Sequence, residues 1–81
     1  MDKESLIQLI DETSKKSRLF ESRLTKIGDN IYEYVLPAVD LPKTIFYIND
    51  ENVEVQKETY GGISYDTISY NEVINMFNLS K

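Results

Sequence analysis

The sequence predicts an α+β fold: a long N-terminal helix, an antiparallel meander of three to four strands, and a short C-terminal helix. Three observations carry that reading. Apolar residues recur at helical spacing near the start of the chain. Two β-rich runs flank a cluster of Asn, Asp and Glu in the middle. A capping box stands before a short helical stretch near the end. At 81 residues the chain is expected to form one domain spanning 1–81.

Asp2 is placed to cap a helix beginning at Lys3, and Glu4 suits the positive end of that helix dipole. Leu6, Ile10, Phe20, Leu24 and Ile27 fit a helical stripe, with Thr13 and Ser17 between them. The run from Glu12 to Arg18 is polar almost all round. Because no Gly or Pro interrupts it, a continuous helix from Lys3 to about Lys26 is expected, closed by Gly28 with Asp29 and Asn30. Two helices meeting near Ser14 to Ser17 are the alternative. Ile31 to Leu36 reads as the first strand, with its two faces left open. Pro37 and Pro42 bracket a connection with restricted backbone.

Thr44 to Ile48 and Val53 to Lys57 then read as a hairpin around Asn49-Asp50-Glu51-Asn52. Setting Ile48 against Val53 and Phe46 against Val55 collects four apolar residues on one face. A slip of one residue would mix apolar and charged positions on both faces, so the pattern selects its own register. A second hairpin is expected at Gly61-Gly62, pairing Tyr60 with Ile63, Glu58 with Tyr65, Lys57 with Asp66 and Val55 with Ile68. Ser69 followed by Glu72 forms a capping box for a helix over Tyr70 to Asn78, and Ile68 with Val73 can form its hydrophobic staple.

Composition narrows the chemistry. The chain has no His and no Cys, and no Trp. It therefore lacks the commonest general base, the strongest side-chain nucleophile and the usual zinc ligands. Asp50, Glu51, Glu54 and Glu58 cluster along the hairpin, but without EF-hand spacing or a loop Gly they read as a solvated turn and an acidic strand face. The expectation is a non-enzymatic protein with no catalytic residue, no metal and no cofactor.

The formal charge of −5 is unevenly placed. Residues 1–28 hold six basic and five acidic groups, a balance of +1; residues 29–81 hold three basic and nine acidic groups, a balance of −6. The sheet half thus repels a phosphate backbone and favours a partner with a basic surface. Lys15, Lys16, Arg18, Arg23 and Lys26 make a basic stripe along the expected helix, interrupted by Glu12 and Glu21. No apolar run approaches the ~20 residues of a membrane span. Met1-Asp2-Lys3-Glu4 does not read as a secretory leader, and a cysteine-free chain suits a reducing compartment, so a cytoplasmic location is expected.

The second face of the hairpins is the most informative surface. It is expected to carry Ile45, Tyr47, Glu54, Gln56, Glu58, Tyr60, Ile63, Tyr65 and Thr67, a mixture of aromatic, apolar and acidic groups. Tyr47, Glu54, Glu58, Tyr60 and Tyr65 are the candidate partner-binding residues. Tyrosine supplies large contact area at interfaces, and carboxylates around it favour Arg or Lys opposite. The bland alternative is half-buried tyrosines with wet hydroxyls. The function expected is a small acidic protein that occupies a partner's surface, as an inhibitor, immunity or regulatory protein. Richness in Ile, Asn, Lys and Tyr fits an AT-rich bacterial or phage source. The other classes are a self-associating structural or scaffold subunit and, more weakly, a DNA-binding regulator using the basic helix; in any class a homodimer is expected, because one small monomer leaves apolar surface uncovered.

Overall fold

A computed structural model describes residues 1–18, 23–35, 43–59 and 61–79. The element order is α1 (Lys3–Lys16), β1 (Leu24–Gly28), β2 (Ile31–Tyr34), β3 (Thr44–Ile48), β4 (Val53–Thr59), β5 (Gly62–Ile68) and α2 (Tyr70–Met76). The strands form one antiparallel sheet in the order β1-β2-β3-β4-β5, so each strand pairs with its neighbour in sequence. The α+β class and the meander stand as expected, with five strands where three to four were read.

The fifth strand comes from the stretch read as the second half of a long helix. α1 stops at Lys16, and Ser17 is extended. Leu24 to Gly28 pairs with Ile31 to Tyr34, and Asp29-Asn30 is the hairpin turn between them. Gly28 therefore ends a strand and does not cap a helix. The physical reason lies in the polar run from Glu12 onward. With apolar groups lacking on every side, a continued helix has no face to bury and gains little beyond its own propensity. Beyond that run, Leu24 to Gly28 as a strand bury Leu24 and satisfy their backbone on β2. Phe20, Leu36, Tyr60 and the connection bracketed by Pro37 and Pro42 lie outside the described residues.

Among the described residues, α1 and α2 cover one face of the sheet. Leu6 and Ile10 of α1 and Val73 of α2 join Leu24, Tyr32, Phe46, Ile48, Val53 and Val55 in a single buried cluster. The Phe77 ring packs against Phe46 edge-on, with centroids 5.1 Å apart, and against Tyr34 at 5.4 Å. These contacts settle the ambiguous first strand: Tyr32 and Tyr34 face the core. α1 begins as the sequence predicts, with Asp2 accepting from the Ser5 amide at 2.9 Å. Hydrogen bonding from Ser5, first from its side chain and then from its amide, holds the Asp2 carboxyl below its ordinary value. The capping box of α2 is formed in both directions: Ser69 Oγ accepts from the Glu72 amide at 3.2 Å, and Glu72 accepts from the Ser69 amide at 2.8 Å. Tyr70 adds a tether, its hydroxyl donating to the Asn49 carbonyl in the β3–β4 turn.

The β3–β4 register is the one read from the pattern: Thr44 opposes Lys57, Phe46 opposes Val55, Tyr47 opposes Glu54 and Ile48 opposes Val53. The β4–β5 register is two residues away from the expected one. Thr59 opposes Gly62, so Gly62 is already part of β5 and the expected Gly61-Gly62 turn is not formed. Glu58 then faces Ile63, Gln56 faces Tyr65, Lys57 faces Ser64 and Asp66 faces Val55. The expected Glu58–Tyr65, Lys57–Asp66 and Val55–Ile68 pairings are replaced. Ile68 instead meets Val53, so the buried Ile48 and Val53 and the partly buried Ile68 form one row packed into the core. A slip of two residues leaves every side chain on its face, so the division of the sheet into two faces survives the change.

Candidate functional site

The candidate site is the sheet face that no described helix covers. It builds up row by row from the pairing. Thr25, Glu33, Ile45, Gln56 and Tyr65 form one row across all five strands. Gly28, Ile31, Tyr47, Glu54 and Thr67 form the next. Glu58 and Ile63 extend the face toward the β4–β5 turn. By strand alternation Ile27 lies on the same side. Ile27 is 51% exposed, Ile63 54% and Tyr65 71%, high values for side chains of this size in a regular sheet. Ile31, Ile45 and Tyr47 are half-buried by their neighbours, while Glu54, Glu58 and Thr67 are exposed.

Of the five residues selected from sequence, four are described, and all four share this face. Tyr47 and Glu54 are direct cross-strand partners on β3 and β4. Tyr65 stands on β5 beyond Gln56, and Glu58 stands at the far end of β4. The Tyr47 hydroxyl donates to Gln56 Oε1 at 3.3 Å, which fixes the ring along the sheet surface. Tyr60 lies outside the described residues. Sequence reading missed what β1 and β2 add: Ile27, Ile31 and Glu33 enlarge both the apolar and the acidic parts of the face. Leu24-Thr25-Lys26-Ile27 does not alternate apolar and polar residues, so its spacing gave no strand signal.

The electrostatics of the face are one-sided. Glu33, Glu54 and Glu58 lie on it. Lys43, whose carbonyl accepts from the Glu58 amide at 3.2 Å, stands at one end. The carboxylates are held apart on separate strand positions. Among the described residues no group of three or more acidic side chains is gathered closely enough to hold a metal ion.

The opposite side of the molecule has different chemistry. An open groove of about 580 Å³ runs beside α1 and the β1–β2 turn, with Lys3, Ile7, Gln8, Asp11, Asp29 and Asn30 among its walls. At its edge Asp11 accepts from the Tyr32 hydroxyl at 2.8 Å and pairs with Lys26 at 3.0 Å. The Lys26 ammonium also lies 5.7 Å from the centre of the Tyr32 ring. Lys26 therefore belongs to β1 and to an internal ion pair. The basic stripe read on one helix is divided between α1, which keeps Lys15 and Lys16, and the strand. No described helix is long and apolar enough to cross a membrane.

With this geometry in hand, comparison with known proteins adds no relative: no protein-family model, no curated protein and no solved structure matches the chain.

Proposed function

We propose that this chain is a small acidic, non-enzymatic binding protein that occupies the surface of another protein through its uncovered sheet face. One observation carries the reading. The two described helices α1 and α2 pack on the same side of the sheet, and Ile27, Ile63 and Tyr65 are open to solvent beside Glu54 and Glu58. Apolar surface of this kind, set among carboxylates, marks an interaction site more often than a random surface. The aromatic and aliphatic groups supply contact area. The carboxylates select a partner with a basic surface and speed its approach. An inhibitor, immunity or regulatory protein of bacterial or phage origin, working in the cytoplasm, is the role that suits a chain of this size acting by occupancy alone.

The test begins with capture and identification of the partner from the source cell, followed by titration of that partner alone. Tyr47→Ala and Tyr65→Ala should each weaken binding by more than ~1 kcal/mol while the fold stays intact. Reversal of Glu54 and Glu58 to Lys should slow association and flatten its dependence on salt. Unchanged affinity in both Tyr variants would move the interface elsewhere. A DNA duplex at low salt should not bind, since the net charge of −5 opposes it.

A further inference from the structure

The two edges of the sheet are built differently. β1 is five residues long, carries Lys26, and has a register irregularity between Lys26 and Gly28. Short length, a lysine and a bulge are the devices that keep an edge strand from pairing with another chain. β5 has none of them. It runs seven residues, Gly-Ile-Ser-Tyr-Asp-Thr-Ile, pairs with β4 without irregularity, and contains no Lys, Arg or Pro. Gly62 to Thr67 are all exposed.

The ladder shows which backbone groups of β5 point outward. The Glu58 amide donates to Lys43, on the β3 side of β4. Backbone groups alternate along a strand, so Glu58, Gln56 and Glu54 turn theirs toward β3, and Lys57, Val55 and Val53 turn theirs toward β5. The residues opposite the latter set, Ser64, Asp66 and Ile68, use their groups on β4. Ile63, Tyr65 and Thr67 are left with amide and carbonyl directed at the open edge. No described residue bonds to them.

We propose that β5 pairs with β5 of a second copy of this chain, antiparallel and centred on Tyr65, joining two five-stranded sheets into one. The inference goes beyond the partner-binding reading and does not depend on it. In this register Tyr65 meets Tyr65 of the second copy, and Ile63 meets Thr67 in both directions. Each of these pairs uses outward-pointing groups on both strands, as an antiparallel ladder requires.

The charges argue for a second copy as the occupant. Asp66 is the one charged residue of β5, and it falls opposite Ser64 of the second copy and not opposite another carboxylate. The row across the junction then reads Lys57, Ser64, Asp66 of the second copy, Val55 of the second copy. Lys57 and that Asp66 stand two strand spacings apart, about 10 Å between backbones, on one side of the sheet. A lysine and an aspartate reaching over a serine span that gap. Within the single chain neither Lys57 nor Asp66 has an ion-pair partner among the described residues. The two-fold axis supplies the pair twice. The same junction makes the two uncovered faces continuous, with the Tyr65 rings adjacent at its centre.

Sedimentation across a concentration series tests the proposal. The parent chain should pass from its 9.4 kDa mass to twice that mass as concentration rises. Lys57→Glu and Asp66→Lys should each raise the dimer Kd by about tenfold or more, and the double exchange Lys57→Glu/Asp66→Lys should restore it. Thr67→Pro should also abolish pairing. It removes an outward amide, and proline is tolerated at an edge where that amide faces solvent. Its circular dichroism in dilute solution should match the parent. Should the proline variant fail to fold, the charge exchange decides alone. A chain that stays monomeric at several hundred micromolar, leaving β5 to solvent or to a strand from another protein, overturns the proposal. So does a dimer indifferent to all of these changes, or one that the double exchange fails to restore.

Discussion

Tyr32 and Asp11 stand 21 residues apart in sequence and meet across the helix–sheet interface in a hydrogen bond of 2.8 Å. The bond locks α1 to the second strand at a place where a buried ring reaches a polar group. Tyr32→Phe should cost about 1 kcal/mol, because an intramolecular hydrogen bond contributes about 0.5–1.5 kcal/mol net. Lys26→Ala should cost less, since its pair with Asp11 is partly exposed and such pairs contribute about 0–1 kcal/mol. Urea titration of the two variants and their combination checks the order.

The same contact gives the fold a response to alkali. Burial, and then the hydrogen bond and charge of Asp11, raise the Tyr32 hydroxyl above its ordinary value of 10.0. A group raised in the folded state favours folding fully below its unfolded value. That contribution is lost as pH rises from about 10 toward the folded value. Stability measured against pH should therefore fall above pH 10, and the fall should be shallower in Tyr32→Phe. Some slope should persist, because the Tyr70 hydroxyl is also raised, first by burial and then by Asp50, Asp2 and Glu51. Equal slopes in parent and variant would remove Tyr32 as the source.

At the other end of the chain the capping box closes the junction between β5 and α2. Ser69→Ala should cost about 0.5–2 kcal/mol. Glu72→Ala should cost less, since it leaves the Ser69 side-chain bond in place. The urea midpoints of the two variants report this directly, and no shift in either would mean the cap contributes nothing.

Two isoleucines distinguish the faces of the sheet. Ile48 is wholly buried and Ile63 is half open to solvent. Ile48→Ala should cost about 2–5 kcal/mol through lost burial and the cavity left behind. Ile63→Ala should stay within about 0.5 kcal/mol. Thermal unfolding of both variants, far below any concentration that favours association, makes the comparison.

The central hairpin was legible in sequence because Phe46, Ile48, Val53 and Val55 are all apolar and all on one side, which leaves a single register that buries them. β5 was legible only as to face. Its residues are exposed on both sides up to Ile68, so a slip of two moves no apolar group out of the core along most of its length. The row Ile48–Val53–Ile68 decides the matter, because it packs into the core. Among the candidate site residues, Tyr47, Glu54, Glu58 and Tyr65 inherited their common face from the alternation. Their neighbours Ile27, Ile31 and Glu33 were hidden by reading Leu24 and Ile27 as helical. The spacing of those two residues fits a helix as well as Leu24 alone fits a buried strand position. Only the lack of apolar groups between Glu12 and Arg18 argues for the break.

The strand order has a kinetic consequence. Because each strand pairs with its neighbour in sequence, the sheet can be assembled by closing short loops one after another, and local closures of this kind favour rapid folding. The exception is α1. It precedes every strand in the chain, yet Leu6 and Ile10 share their buried cluster with Ile48, Val53 and Val73, all made later. During synthesis the apolar stripe of α1 must wait, without a sheet to rest on, until those later strands have been made.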